Sequence, residues 1–283
     1  MSRRGRFALA LAVGAALGLA EGAHAQDWRT VSSARQRLGE QALDVRLDYG
    51  AGVLRVEPAS GGLLYRFEMR YDGDQFRPVT EYDRAAGRLH LGVEGTDRRG
   101  NRDIRDGGRA SLALNPEVAT RLGLQFGAGE AQVELGGLSL REVDLSTGAS
   151  ETRVSFSSPN RIPAETVKMA AGAASLRVAG LGNARAARYE FEGGVGETVL
   201  DFGGRWDRSA SARVEMGMGS VTLRFPRELG VRIVKESFLT SFDAAGMTKR
   251  GNAWYSRDWD SAPHKLTVDI DAAIGSIQVE WID

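Results

Sequence analysis

The sequence contains no cysteine, which excludes disulfide bonds, cysteine-ligated zinc and thiol catalysis. It has only 7 prolines in 283 residues, and aromatics make up 7%. Lysine plus arginine and aspartate plus glutamate each number 37, so the formal net charge is zero. Nucleic-acid-binding chains carry a basic surplus, and no nucleic-acid partner is expected here. Past residue 20 no stretch approaches the roughly 20 apolar residues that span a bilayer, so no membrane span is expected in the mature chain. Histidine is scarce, with His24, His90 and His264 far apart in the chain. No H-E-x-x-H or G-x-S-x-G pattern occurs. No G-x-G-x-x-G opens a helix, and no G-K-[ST] follows a glycine-rich loop. The residues therefore assign no catalytic group, no metal ligand and no cofactor, and the chain is expected not to be an enzyme.

What is present begins with an export signal. Arg3, Arg4 and Arg6 precede an apolar run from Phe7 to Ala20, and Ala23-His24-Ala25 is a small-x-small cleavage site. Residues 1–25 are read as a signal peptide, with Arg3-Arg4 a poor twin-arginine match because Gly5-Arg6 follows. Cleavage leaves 34 basic and 36 acidic residues. The mature chain is expected to be exported: periplasmic in a Gram-negative host, or secreted.

Glycine is abundant, at 36 residues, and it is spaced regularly. Segments such as LDVRLDYGAGVLRVEP (43–58), RLGLQFGAGEAQVELGGL (121–138), YEFEGGVGETVLDFGG (189–204) and ARVEMGMGSVTLRFP (212–226) share one plan. Aligned on the last small residue of a central trio, the units fall on Gly52, Gly129, Ser150, Ala174, Gly196, Gly219 and Gly275. Steps from Gly129 to Gly219 are 21, 24, 22 and 23 residues, with longer gaps of 77 before and 56 after. Apolar residues alternate on both sides of each trio, as in Val45 and Leu47, Tyr189 and Phe191, then Ala131, Val133 and Leu135, and Val221, Leu223 and Phe225. Alternation with period two means half-buried strands. One unit cannot bury its apolar face alone, so units must stack. The expected fold is all-β: a glycine-rich, parallel, solenoid-like stack of about 22-residue rungs with two facing sheets and irregular end caps. An antiparallel sandwich is the alternative. A ligand loop is needed once, whereas a chain reversal is needed in every rung. Gly50, Gly52, Gly127, Gly129, Gly148, Gly172, Gly194, Gly196, Gly217, Gly219 and Gly275 are accordingly read as structural turn glycines.

The rest is irregular. Residues 26–42 form a lead-in, and 43–283 a single repetitive domain. Residues 62–94 read as a strand (63–71), a turn at Asp72-Gly73, and a hairpin closed at Ala86-Gly87. The mixed-charge stretch 96–109 is expected to be a mobile surface loop, and 228–265 an insertion that caps one end. Within it, Trp254, Tyr255 and Trp259 concentrate aromatics in an aromatic-poor chain. Aromatics stack on sugars and anchor interfaces, so these three are the candidate interaction residues, packing over the core end being the plainer reading. Glu130, Glu151 and Glu197 share one rung position, with Ser175, Ser220 and Ser276 in other rungs. That position has the solvent-facing parity of Gln132, Arg153 and Arg177, and is read as a solvated polar row.

The series GAGEAQVELGGLSL, VDLSTGAS, SPN, GLGNA, GGVGETVLDFGG and MGMGSVTLRFP resembles the toast-rack family. That family is related to the extracytoplasmic domain of LiaF-like envelope-stress proteins and to adhesin-type β-repeat domains. The resemblance covers about residues 40–281. It implies a repetitive β-structure acting as an interaction or sensor module, and it brings no catalytic residues. The chain departs from the LiaF pattern in having a cleavable-looking signal and no multi-helix membrane region, so a partner would be met in trans. The expected function is that of a non-catalytic periplasmic interaction protein, a modulator of the envelope stress response acting on an envelope or inner-membrane protein. The alternative is a glycan- or surface-binding adhesin-like module. A polysaccharide lyase or hydrolase is disfavoured, because short rungs leave little cleft. An uncovered rung edge would permit pairing between copies.

Overall fold

The structure is a computed structural model that describes residues 27–95 and 108–283. The signal peptide 1–25 and residues 96–107 of the expected loop lie outside the described residues. In chain order the strands are β1 (Trp28–Gln36), β2 (Ala42–Pro58), β3 (Leu63–Asp72), β4 (Phe76–Asp83), β5 (Arg88–Gly95), β6 (Arg109–Leu114), β7 (Ala119–Glu134) and β8 (Leu140–Ser155). There follow β9 (Ala164–Ala179), a single helical turn α1 (Leu181–Ala184), β10 (Ala186–Asp201), β11 (Ala210–Pro226), β12 (Gly230–Asp243), β13 (Met247–Arg250), β14 (Ala253–Ser256) and β15 (Lys265–Ile282). They form one 15-stranded sheet whose central path is β2-β7-β8-β9-β10-β11-β15-β12, all parallel. The chain is thus an all-β parallel stack of rungs, as the repeat implies.

Each repeat is one long strand bent at its middle, and the two strands expected per unit are its two arms. In β2, Val45, Leu47 and Tyr49 are buried before the bend, and Leu54 and Val56 after it. Inward parity therefore switches across Gly52, so both arms point apolar side chains into one core. The facing of the arms is visible in β10: Tyr189 and Phe191 of the first arm meet Phe202, just past the second, at ring-centroid distances of 5.8 and 6.5 Å. Both contacts are edge-on, the arrangement favoured by the ring quadrupole. Register follows the alignment of the trios: Gly52 pairs with Gly129, Gly129 with Ser150, Ala174 with Gly196, Gly196 with Gly219, and Gly219 with Gly275.

Glycine at the bend meets two demands at once. Gly219 has φ +142° and Gly275 φ +143°, a region that side chains rarely enter. A Cβ on Gly219 would lie 1.8 Å from the Gly196 carbonyl oxygen, and one on Gly275 1.7 Å from that of Gly219. Gly52, Gly129 and Gly196 share the positive φ. Gly127, Gly148, Gly194 and Gly217 form a second column without it, where a Cβ would come within 2.1–2.6 Å of the previous rung's carbonyl oxygen. Gly172 is less crowded, its nearest contact being 3.3 Å, and nothing lies within 4 Å of a Cβ on Gly50.

At the turns between rungs, asparagine side chains add to the backbone hydrogen bonds that join one rung to the next. Asn160 is buried; its Nδ2 donates to the Leu140 and Ile162 carbonyls at 2.8 and 2.7 Å, and its Oδ1 accepts from the Leu140 N–H at 2.7 Å. Asn183 does likewise one rung later, donating to the Phe156 carbonyl at 2.8 Å and accepting from the Arg205 N–H at 2.9 Å. Side-chain amides with one donor and one acceptor end can satisfy two rungs together.

The two ends are less regular. Next to β2 the rung is split: β5 supplies its first arm, pairing residues 88–92 with 44–48, and β6 its second, pairing 109–114 with 53–58. Antiparallel β4 and β3 lie beyond these arms, and the lead-in residues form β1 antiparallel to β3. At the other end β15 inserts between β11 and β12, out of chain order. Residues 230–243, inside the span expected as a cap, are therefore a further parallel rung, with Thr240 where its neighbour has Gly275. Antiparallel β14 and β13 follow outward.

The out-of-order rung can be checked in a chain with no native cysteine. Met218 and Ile274 are direct partners, and Ile274 and Leu239 are partners in turn. In-register neighbours sit about 4.8 Å apart, inside the Cα range of a disulfide. Met218→Cys with Ile274→Cys should oxidise to an intramolecular disulfide, and Met218→Cys with Leu239→Cys should not. Gel shift after oxidation reads the result; the reverse pattern would place β12 beside β11.

Candidate functional site

The three candidate aromatics do not form one surface. Neighbours on a strand point to opposite faces, and Trp254 and Tyr255 are neighbours on β14. Trp254 lies opposite Ile233 and packs edge-on against Phe242, with centroids 4.8 Å apart. Tyr255 points the other way, opposite Arg232, whose Nε–H donates to the Tyr255 hydroxyl at 3.2 Å. Trp259, in the turn after β14, meets Tyr255 edge-on at 5.5 Å. The structure thus joins Tyr255 to Trp259 and leaves Trp254 with the core. Each ring also carries a cation: Lys249 over Trp254 at 4.9 Å, Arg250 over Tyr255 at 5.3 Å and Lys265 over Trp259 at 5.3 Å. A cation held over a ring face takes a face that a sugar would need.

His90, on β5, sets its Nε2 2.8 Å from Asp48 Oδ2, and the same oxygen receives the Arg46 Nε–H at 2.7 Å. This pair ties the split rung to β2. Nearby, burial pushes the Tyr49 hydroxyl pKa up, and that oxygen has no hydrogen-bond partner among the described residues. Among the described residues no group of three or more histidine, aspartate or glutamate side chains is arranged to hold a metal ion, and no helix is long and apolar enough to cross a membrane. Glu151 pairs with Arg153 on its own strand, and Glu197 with Arg177 of the preceding rung at 2.9 Å. These are exposed pairs, each contributing at most about 1 kcal/mol.

The middle residue of each trio makes a feature that the repeat analysis did not single out. It lies at the outer crest of the bend. In the first rungs it is alanine: Ala51, Ala128, Ala149 and Ala173. From β10 onward it becomes Val195, Met218, Ile274 and Leu239, each the register partner of the next. These four are exposed by 56, 49, 42 and 63%.

The family model described as the N-terminal domain of toast_rack, DUF2154, matches residues 23–179. The chain belongs to the toast-rack family. Among solved structures, a Clostridium sporogenes protein described as a "putative cell adhesion protein" superposes with a TM-score of 0.51 at 16% identity, covering 90% of this chain and 100% of that one. A Bacteroides fragilis protein described as a "putative adhesin" matches with a TM-score of 0.39 at 12% identity, covering 89% and 97%. At such identities the first likeness speaks to the fold, and the second carries no argument. No curated protein matches the chain.

The toast-rack family match ends at β9, and the large crest residues begin one rung later. Within this toast-rack chain the crest is the one apolar row left uncovered along consecutive rungs among the described residues. The aromatic contacts tie β14 and its turn to β12. Trp254→Ala should therefore lower unfolding free energy by about 2 kcal/mol, below the range for a fully buried tryptophan because the ring is only partly buried. Tyr255→Ala and Trp259→Ala should couple by about 0.5–1.5 kcal/mol in a double-mutant cycle. Urea titration checks both; no coupling would mean that the two rings act separately.

Proposed function

We propose that this chain is an exported, non-catalytic interaction protein that binds a protein partner of the cell envelope in trans. The observation that carries this reading is the exposed apolar crest of Val195, Met218, Ile274 and Leu239. A contiguous row of large apolar side chains held in water is unfavourable, and such patches mark interaction surfaces. The rung scaffold supports the reading, since repeat folds present extended surfaces for binding. A solved neighbour of the same fold is described as a "putative cell adhesion protein", a role of the kind proposed here. Modulation of the envelope stress response is the narrower form of this proposal, and it requires the partner to be a sensor protein of the inner membrane. A glycan-binding role would use Tyr255 and Trp259, whose cation-covered rings favour it less.

A photo-crosslinking amino acid placed at position 218, and separately at position 128, tests this in intact cells. Both occupy the crest, one on the large apolar half and one on the alanine half. A specific protein adduct from position 218 and not from 128 is expected. Identical adducts from both positions, or none from 218, would overturn the proposal. Recovery of glycan in place of protein would move the case to the adhesin reading.

A further inference from the structure

This inference deepens the proposed binding function and rests on it. Beside the crest, on the first-arm side, a groove of about 510 Å³ runs across the rungs. It extends from β8 to β15; Gly194, Gly217 and Ala273 line it together with Glu192, Glu215 and Asp271, and no lysine or arginine does. The three carboxylates are register partners in consecutive rungs, and Glu236 continues the row on β12. Like charges directly opposite in a sheet destabilise it. Partial compensation comes from outside the groove, where Lys168 meets Glu192 at 2.8 Å and Arg213 meets Glu215 at 2.5 Å. An uncovered apolar row and a row of stacked carboxylates thus run side by side along the same rungs.

We propose that this surface docks a basic amphipathic helix of a partner protein, apolar side chains on the crest and lysines or arginines over the carboxylates. One occupant then relieves both the exposed apolar area and the charge repulsion. The spacing suits a helix. Its turns recur every 5.4 Å against about 4.8 Å between rungs, a drift of about 2 Å over the four crest residues, which flexible Met218 and Leu239 can absorb. An extended segment laid across the rungs repeats one face every ~6.8 Å and falls out of step after one rung. Other occupants fit less well. A second copy would bring the same carboxylates against this row, like charge against like. An anionic lipid surface is repelled by the acidic row. Glycans stack on aromatic rings, and the crest has none.

The test uses two fluorescent 14-residue helical peptides with one leucine stripe, one flanked by lysines and one by glutamates. Anisotropy titration should show the lysine peptide binding at least ten times more tightly than the glutamate peptide. Its affinity should fall about fivefold or more between 50 and 500 mM NaCl, as screening requires. Glu215→Gln with Asp271→Asn, and separately Met218→Ser with Leu239→Ser, should each weaken it about tenfold with the melting temperature not lowered. The charge-neutral pair removes repulsion, so it should fold at least as well as the parent. Equal binding of both peptides, or undiminished binding by either variant pair, would overturn the proposal. So would self-association, or binding to phosphatidylglycerol vesicles, that is lost in the Met218→Ser, Leu239→Ser variant. A protein adduct from position 218 together with unchanged peptide affinities would discard the basic helix and leave the interaction function standing.

Discussion

The rack depends on backbone packed against backbone at the bend. Where Gly275 sits on Gly219, and Gly219 on Gly196, the carbonyl of one rung occupies the space that a Cβ of the next would need. That contact lets one continuous strand serve both arms, the pairing skipping the first bend glycine and resuming at the crest. It also sets register, because a shift of one residue would put a side chain against a carbonyl and turn every inward residue outward. With register set, Tyr189, Phe191 and Phe202 face one another across the core, and Phe225 stacks on Phe202 from the next rung at 5.2 Å.

The same constraint explains why the crest can vary. Its residue points away from both arms, and nothing in the stacking decides its size. Alanine serves at Ala51, Ala128, Ala149 and Ala173, while Val195, Met218, Ile274 and Leu239 serve equally well in register. Large apolar groups there add exposed area without adding to the core. A scaffold that tolerates any residue at the crest, but carries large apolar ones on four consecutive rungs, has room for a binding surface that costs the fold little.

Much of this was legible in the sequence because the signal is repeated. Alternation on both sides of each glycine trio identified the inward residues, among them Val45, Leu122, Val143, Val167 and Val221, all buried. The hairpin closed near Ala86-Gly87 was legible from its turn residues and stands as β4 and β5. The position of β12 was not. Thr240 replaces the bend glycine, and chain order gives no hint that β15 enters between β11 and β12. The split rung was hidden likewise, since β5 and β6 each carry only one arm. Clustering in sequence drew Trp254 and Tyr255 together, although strand alternation alone puts them on opposite faces. The crest could have been read by comparing the middle residue of each aligned trio, where alanine gives way to valine, methionine and isoleucine.

The most direct test of the backbone-contact account compares two glycine substitutions by thermal unfolding. Gly219 has φ +142° and would set a Cβ 1.8 Å from the Gly196 oxygen, whereas Gly50 has nothing within 4 Å and no positive φ. Gly219→Ala should lose at least about 3 kcal/mol, from backbone strain and the clash together, or fail to fold. Gly50→Ala should change stability by less than about 1 kcal/mol. Equal tolerance of both substitutions would contradict the claim that the bend contact holds the rack in register.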